Sequence, residues 1–437
     1  MNRPRATGVT VIGGGIAGLV VAYRLTQQDV PVVLLEQSAQ LGGLGVEGEI
    51  DGHPIERFYH CIMPSDDALL GLLDDLGLQQ DIEWRSTTMG MLVDRRRYPF
   101  NTPADLLRFG ALNPVQRIRF GAVSVALRHL GRGKDLDGVT TEAWLSRLYG
   151  REIWSRMLQP MFGAKFGDAF AHVPARYVYE RLGREKNVAV RGYPRGGYRS
   201  IVDALSRAIR DAGGVIETSA TVTNMSETAS GIEVTVDGDV IESDRVVSTV
   251  PIPVLHQIAD TNLRASLPVS EHSYQGVVNV AFLLKRPLDG HYWSPVIGCD
   301  TEFDGVIEMS ALSGTRRYDD HTLVYTMKYC KRDSPLFQQD PEAIAQRWTD
   351  QLRDLYPDRI GADDVVATAV FSAPFVEPIP FVGQSHLRSD GHVPDTRLHI
   401  ATTTQLYPQV TSWNSSTGLA DDIAQRVGSS DFSVSTT

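Results

Sequence analysis

Three glycines near the start of the chain have the spacing of a phosphate-binding loop. Gly13, Gly15 and Gly18 follow the apolar segment Val9–Ile12 in the pattern G-x-G-x-x-G. The first glycine permits a tight turn, the second lets a pyrophosphate approach the backbone, and the third lets a helix pack against a strand. Since the motif lies between a predicted strand and a predicted helix, it indicates a dinucleotide-binding site.

The residues around this loop supply the other contacts that a dinucleotide needs. Ile16 and Ala17 begin the predicted helix, whose free N–H groups and partial positive charge favour phosphates. Glu36 ends the next apolar segment, Val30–Leu35, with Gln37 beside it. A carboxylate here can accept hydrogen bonds from a ribose diol, and it repels the extra phosphate of NADP.

A second glycine pair, Gly42 and Gly43, follows six residues after Glu36 and is flanked by Leu44. Glycines so close to the first nucleotide-binding unit indicate that the backbone stays beside a long ligand.

The elements that must position these residues are predicted from periodicity. The first 45 residues form a βαβ unit, and residues 66–186 are mainly helical. Alternating strands follow between 215 and 250, and residues 277–284 and 322–330 indicate a second, more antiparallel sheet. Asp340, Pro341 and Glu342 are typical of a helix start, for a helix reaching Leu355. The last strand and helix are predicted at 398–401 and 415–427.

Composition excludes several classes of protein. The 437 residues carry a net charge of −11, which argues against a nucleic-acid partner, and 42% are hydrophobic, which argues against disorder. Three widely spaced cysteines predict neither a disulfide framework nor a metal site. The sequence has no run of 18 apolar residues, so we expect no transmembrane helix and a cytoplasmic location.

The order of these motifs resembles the FAD-dependent amine oxidase superfamily, closest to protoporphyrinogen-oxidase-like proteins and distantly UDP-galactopyranose mutases. Residues 55–66 are similar to the segment after the glycine pair, and residues 244–251 to the central strand. Residues 398–418 occupy the place of the C-terminal flavin motif. The resemblance covers nearly the whole chain.

This resemblance implies an α/β fold in which a Rossmann-like, glutathione-reductase-like FAD-binding domain is interleaved with an α+β substrate domain. Residues 1–65, 190–265 and 390–430 would bind FAD, 66–189 and 266–389 would bind substrate, and 431–437 would be a disordered tail. FAD would be held without a covalent bond, since no cysteine lies in the C-terminal flavin region. Beyond the glycine loops, Glu36 and Gln37, its contacts would be Tyr59, His60, Val222, Thr403, Tyr407, Trp413, Asn414 and Ser415.

Several positions depart from the amine oxidase pattern. Gln40 and Leu44 replace arginines beside the glycine pair, and a run of threonines, 402–404, replaces an acidic residue. Asn279 takes the place of a lysine that many amine oxidases bridge to the flavin through water. An amine substrate therefore does not follow from the resemblance.

Candidate catalytic residues are His60, after the glycine-rich segment, and Tyr325 and Lys328, on the predicted strand 322–330. Each can assist proton removal. Lys165, between Gly163 and Gly167, is a further candidate for a functional role.

The predicted function is an FAD-dependent oxidoreductase that removes hydride from a C–H bond of a small organic metabolite. The electron acceptor would be oxygen or a quinone, because no second dinucleotide motif exists for NAD(P)H. Peripheral membrane contact stays open. One alternative is a redox-neutral flavin-dependent isomerase or mutase acting on a sugar or nucleotide sugar, and another is a non-catalytic nucleotide-binding protein. Sugar, isoprenoid, porphyrin-like and amine substrates all stay open.

Overall fold

A computed structural model describes residues 6–184, 189–268, 273–387 and 389–429. The predicted disordered tail, 431–437, lies outside the described residues. The strands are β1 (Ala6–Ile12), β2 (Val32–Leu35), β3 (Glu47–Ile50), β4 (His53–Glu56), β5 (Ile82–Ser86), β6 (Thr88–Val93), β7 (Arg96–Pro99), β8 (Val190–Pro194), β9 (Val215–Glu217), β10 (Val222–Glu227), β11 (Ile232–Val236), β12 (Asp239–Ser248), β13 (Tyr274–Leu284), β14 (His291–Ile297), β15 (Gly305–Glu308), β16 (Thr322–Lys331), β17 (Val365–Pro378) and β18 (Leu398–Ile400).

Helices connect and cover these strands. They are α1 (Ile16–Thr26), α2 (Asp67–Asp75), α3 (Pro103–Arg108), α4 (Pro114–Gly131), α5 (Thr141–Tyr149), α6 (Arg151–Ile153), α7 (Gln159–Phe166), α8 (Ala175–Arg184), α9 (Gly197–Asp211), α10 (Ile252–Ile258), α11 (Thr261–Ser266), α12 (Ser310–Ser313), α13 (Pro341–Leu355) and α14 (Trp413–Ser429). A π-helical turn, Trp154–Leu158, joins α6 to α7.

The first sheet collects strands from three distant parts of the chain. Its order is β10-β11-β12-β1-β2-β9, and β18 adds to β12. β1 pairs in parallel with both β2 and β12, and β12 pairs in parallel with β18. Because parallel strands are buried on both faces, they are rich in apolar residues, and all four residues of β2 are buried. Helices α1, α9 and α14 pack together beside this sheet.

The second sheet is mainly antiparallel, with the order β17-β13-β16-β15-β14-β6-β7. β13 is buried along all eleven of its residues and pairs with β16 on one side and β17 on the other. A mixed α/β fold is thus confirmed, and besides its two large sheets the described strands form two small ones, β3-β4 and β5-β8. The predicted helix 341–355 is also confirmed, since the Asp340 side chain accepts a hydrogen bond from the Ala343 N–H at 3.2 Å.

The region 66–186, predicted to be mainly helical, also contains strands. Residues 82–99 form β5, β6 and β7, which were not predicted. β5 pairs with β8, which is about a hundred residues later in the chain, and β6 pairs with β14, which is farther still. The strand conformation of β5 and β6 therefore depends on distant partners that a local pattern does not show, whereas β7 pairs with β6, its neighbour in sequence.

Glu308 on β15 is a buried carboxyl group that makes folding stability depend on pH. Its oxygens accept the backbone N–H groups of Leu288 at 3.2 Å and Gly290 at 2.7 Å. Burial nevertheless raises its pKa from 4.5 to about 7. Between these values the folded protein binds more protons than the unfolded chain does, so stability falls as pH rises toward and through 7.

We therefore expect the Glu308→Gln variant to lose this part of the pH dependence. Between pH 4.5 and 8 the unfolding free energy of the native protein should fall by roughly 2–4 kcal/mol more than that of the variant. Urea unfolding at a series of pH values measures the difference. Glu49→Gln, on the exposed side of β3, should follow the native curve. The prediction would be contradicted if the unfolding free energy of the native protein and that of Glu308→Gln changed with pH in parallel.

Candidate functional site

The glycine loop connects β1 to α1 in a conformation that requires glycine at two of its positions. Gly13 has a φ of +106°, and a Cβ there would lie 2.5 Å from the Thr249 hydroxyl oxygen. A Cβ at Gly18 would overlap the carbonyl oxygen of Gly13. These two glycines are therefore explained by the protein's own packing.

Gly15 differs, because none of the described residues fills the space in front of it. A Cβ there would have only Gly43 Cα, at 3.8 Å, within contact distance. Gly15 is also the residue before α1, and no described side chain caps the N-terminus of this helix. The described chain thus leaves an open cradle with helix N–H groups beside it, as a bound pyrophosphate requires.

Glu36 lies at the end of β2 and faces the same loop. Its carboxylate accepts the Gly14 N–H at 2.6 Å and the Ser38 N–H at 2.8 Å. These bonds orient the side chain, and each oxygen retains a lone pair for a ribose hydroxyl.

A cavity of about 1040 Å³ begins at this loop and extends between the two sheets. Its far end is formed by α5, α7, α8 and the strands of the second sheet. Most of the predicted cofactor-binding residues line it: Gly13, Gly15, Ile16, Ala17, Glu36, Gln37, Gly42, Gly43, Leu44, Tyr59, His60, Val222, Thr403 and Trp413.

Four predicted cofactor-binding residues do not line the cavity. Besides Gly18, these are Tyr407, which donates to the Asp137 carboxylate, Asn414, which accepts the Leu69 N–H at 3.0 Å, and Ser415, which donates to the Val410 carbonyl at 2.8 Å. Near the N-terminus of α14, the cavity is lined instead by Thr402, Thr411, Ser412 and Ser416. Thr402 follows the predicted strand 398–401, and the other three lie just before or within the predicted last helix, which was the available signal.

His60 lines the cavity as a neutral imidazole. Its Nδ1 is 2.7 Å from the Phe58 carbonyl oxygen, which can only accept, so Nδ1 carries the proton. Burial lowers the pKa of His60 against the opposing effect of this hydrogen bond. Tyr198 and Trp413 pack against the ring at centroid distances of 5.0 and 6.0 Å. Nε2 is therefore left with a lone pair that can accept a proton.

Tyr59 and Asn279 line the cavity close to His60. The Tyr59 hydroxyl is 3.5 Å from that of Tyr329 and 3.6 Å from Met327 Sδ. Asn279 is fully buried and donates from Nδ2 to the Arg57 carbonyl at 3.1 Å. Its Oδ1 has no hydrogen-bond partner in the described part of the chain. A ligand group that donates a hydrogen bond would satisfy this oxygen.

Two of the predicted catalytic residues lie outside the cavity lining. The Tyr325 hydroxyl is fully buried and donates to the Glu56 carbonyl at 2.6 Å. Lys328 forms an ion pair with Asp304 at 2.8 Å. Because side chains alternate along a strand, Tyr325 and Lys328 point to opposite faces of β16. The face that reaches the cavity does so at Met327 and Tyr329.

Tyr325→Phe should therefore affect stability and leave turnover unchanged. Losing the bond to Glu56 leaves a buried carbonyl with one partner fewer, which should lower the unfolding free energy by about 1–2 kcal/mol. Chemical unfolding and steady-state rates of the same preparation measure the two effects. A rate loss of tenfold or more in a fully folded variant would contradict this assignment.

Lys165 lies in a buried polar cluster at the far end of the cavity, together with Tyr177 and Glu377. Lys165 Nζ is 3.0 Å from Glu377 Oε1 and 3.2 Å from the Tyr177 hydroxyl. Gln275 also donates to Glu377, at 2.6 Å. Burial favours the neutral amine, but the charge of Glu377 outweighs it, and the pKa of Lys165 is raised. Lys165 is thus charged at neutral pH.

Sequence reasoning missed most of the residues in this part of the cavity. Tyr177, Arg181, Tyr329 and Glu377 line it, yet they come from α8, β16 and β17. Lys165 was found from its glycine neighbours, and its partner Glu377 lies 212 residues later, with no local motif to mark it.

In the described ranges no group of three or more His, Cys, Asp or Glu side chains is placed to hold a metal ion. None of the helices described is long and apolar enough to cross a membrane.

Comparisons with known proteins agree with the motifs. Residues 16–410 match the family described as flavin containing amine oxidoreductase. A Mycobacterium tuberculosis protein assigned as the flavin-containing monoamine oxidase AofH is 28% identical over 277 residues, which are 59% of each chain. The alignment therefore spans less than two thirds of that relative.

Solved structures with the same fold cover almost the whole chain. A protein assigned as a protoporphyrinogen oxidase from Exiguobacterium superposes with a TM-score of 0.75 at 15% identity, covering 97% of this chain and 98% of that one. Reduced UDP-galactopyranose mutase superposes with a TM-score of 0.75 at 15% identity, covering 97% and 99%. At these identities the similarity establishes the fold alone.

Proposed function

The chain belongs to the flavin-containing amine oxidoreductase family, and from this membership we propose that it is an FAD-dependent oxidoreductase acting on a C–H bond of a small organic metabolite. The observation that carries the proposal is the single cavity that joins the open cradle at Gly15 to the polar cluster at Lys165 and Glu377. One long cofactor can therefore be held at one end while a substrate occupies the other.

FAD is the cofactor that this family and this cavity indicate. We propose that Gly15 and the start of α1 hold its pyrophosphate, that Glu36 holds the adenosine ribose, and that the N-terminus of α14 faces the flavin. The first sheet would then form a glutathione-reductase-like FAD-binding domain with the predicted boundaries, and the second sheet and residues 66–189 would form the substrate domain. No cysteine lies between 331 and 437, which supports a non-covalent cofactor.

A bound flavin supplies the redox chemistry by accepting two electrons. The chain's own residues would then bind the substrate, exclude water and move protons. The apolar walls from α5, α7 and α8 limit water in the cavity. His60 Nε2 is the proposed proton acceptor, because burial keeps the ring neutral and the Phe58 carbonyl fixes its tautomer.

Replacing His60 tests this assignment. His60→Gln should keep FAD and lower the rate of flavin reduction by substrate about a hundredfold, a usual loss for a general base. Rapid mixing without oxygen measures that step, and the acidic limb of its pH profile should disappear in the variant. An unchanged rate and pH profile would remove His60 from the proposed chemistry.

Purification of the protein tests the function itself. We expect a yellow protein whose flavin is bleached anaerobically by one or more compounds from a panel of amines, carboxylic acids, sugars and cyclic tetrapyrroles. Reoxidation by oxygen and by a soluble quinone then identifies the electron acceptor. A protein without flavin absorbance, even after incubation with FAD, would refute the proposal. Turnover only after chemical reduction, without consumption of oxygen, would favour the redox-neutral mutase.

A further inference from the structure

Helices α3 and α4 expose large apolar side chains to solvent. Val115, Ile118 and Val125 on α4 are 75%, 68% and 82% exposed, and Leu107 on the neighbouring α3 is 62% exposed. The other exposed large apolar side chains of the described residues lie between 36% and 50%. The four most exposed ones are therefore concentrated on one pair of helices.

The exposed apolar residues of α4 form a stripe along the helix. We define the apolar stripe as Val115, Ile118, Ala122 and Val125, all of which are exposed. They follow one another at intervals of three, four and three residues, which places them on one side of an α-helix. Leu127 faces inward, where it is buried and lines the cavity. An apolar stripe left in solvent indicates a surface that contacts another molecule.

The segment that carries the apolar stripe is positively charged. Residues 106–134 contain five Arg and one Lys and no Asp or Glu, although the whole chain has a net charge of −11. Arg108, Arg119 and Arg132 are exposed. Arg119 donates to the carbonyl oxygen of Leu148 at 3.0 Å, and it keeps its charge in doing so.

Two carboxylates lie next to this segment and reduce its charge only in part. Asp105 accepts the backbone N–H groups of Asn101 and Thr102 at 3.0 and 2.9 Å. Glu152 accepts a hydrogen bond from Gln116 at 2.5 Å, on another side of α4 from the apolar stripe. Counted against six cations, these two anions still leave the surface positive.

Exposed apolar side chains beside Arg and Lys match the surface of an anionic lipid bilayer. Such side chains enter the boundary between headgroups and acyl chains, and the cations attract the anionic headgroups. A second copy of this chain is a poorer match. A two-fold contact through the apolar stripe would bring the same positive segment of both copies together.

We propose that α3 and α4 dock the protein on the surface of anionic lipid bilayers, with Leu107 and the apolar stripe inserted among the headgroups. Because Leu127 lines the cavity from the inward side of α4, this orientation places the far end of the cavity next to the lipid surface. The docking depends on neither the cofactor nor the reaction, so it is independent of the proposed function.

Sedimentation with lipid vesicles tests the docking on the purified full chain. Vesicles with about 40% phosphatidylglycerol in phosphatidylcholine should bind the protein at least about tenfold more tightly than phosphatidylcholine alone at about 0.05 M salt. Raising the salt to about 0.5 M should remove most of this preference, because it screens the charges. Equal binding to both compositions, or binding to neither, would overturn the proposal.

Variants test the apolar stripe and the charge separately. Ile118→Gln combined with Val125→Gln should weaken binding to the anionic vesicles at least about tenfold, since two inserted apolar side chains are lost. Arg108→Gln should weaken it about fivefold and reduce its salt dependence. Val240→Gln, at an exposed apolar site on β12, is the matched control and should bind like the native protein.

Native binding in a folded double variant would overturn the assignment to α4. Should the double variant fail to fold, Leu107→Gln on α3 decides instead, with an expected loss of about threefold or more. A dimer that dissociates in the double variant, together with no binding to anionic vesicles, would assign the surface to a second copy and overturn the proposal. Absence of flavin after incubation with FAD refutes the proposed function alone.

Discussion

A Gly15→Val chain is expected to fold like the native protein and to lose FAD. Gly15 has φ −75° and ψ 179°, an extended conformation that valine adopts without strain. A Cβ at this position meets only Gly43 Cα, at 3.8 Å, among the atoms of the described residues. The same space is where the pyrophosphate is proposed to lie, and we expect its affinity for FAD to fall at least about a hundredfold.

Flavin absorbance after dialysis, together with thermal unfolding of the FAD-free proteins, measures both parts of this expectation. Gly71→Ala on α2 is the matched control, since nothing lies within 4 Å of that position, and it should retain FAD. Gly18→Ala should behave differently and destabilise the FAD-free protein, because its Cβ overlaps the Gly13 carbonyl oxygen. Native affinity for FAD in Gly15→Val would contradict the proposed position of the pyrophosphate.

Glu377→Gln should cause the largest loss of stability among the charge substitutions considered. Glu377 is 96% buried and holds Lys165 at 3.0 Å, so the substitution leaves a buried ammonium without its counterion. Removing one partner of a buried pair usually costs 3–5 kcal/mol, and the partial exposure of Lys165 reduces this to about 2–4 kcal/mol.

A double-mutant cycle identifies the origin of this loss. Lys165→Met combined with Glu377→Gln should recover about half of it or more, since no charge is then left unpaired. Asp203→Asn provides the control, because its pair with Arg199 is exposed and should contribute less than about 1 kcal/mol. Denaturant unfolding of all four chains measures the coupling. Additive losses in the double variant would show that the ion pair is not the cause.

The residues that chain patterns predicted for nucleotide binding line the cavity, apart from Gly18. The glycine loop, Glu36 and the second glycine pair lie within about 30 residues of one another, and they act through backbone conformation, which depends on local sequence. Residues farther along the chain were placed less accurately. Tyr407 and Asn414 are close in sequence to residues that line the cavity. Their side chains instead form hydrogen bonds with the Asp137 carboxylate and the Leu69 N–H.

The strands β5 to β7 and the face of β16 illustrate why local patterns were insufficient. A short apolar run forms a strand only where a partner strand is available, and β5 has its partner in β8. On β16, alternation alone cannot show that Met327 and Tyr329 reach the cavity while Tyr325 bonds to Glu56. Both outcomes depend on which distant segment packs against the strand.

The sequence by itself determined the family, the glycine loop between β1 and α1, and a fold that alternates strands and helices. These properties follow from glycine spacing and from periodicities of two and 3.6 residues, which are local. Only the tertiary structure decided the composition of the far end of the cavity, where Lys165 from α7, Arg181 from α8, Tyr329 from β16 and Glu377 from β17 come together. Their proximity is created by the packing of the helices against the second sheet, so the polarity of this part of the cavity cannot be inferred from any single segment.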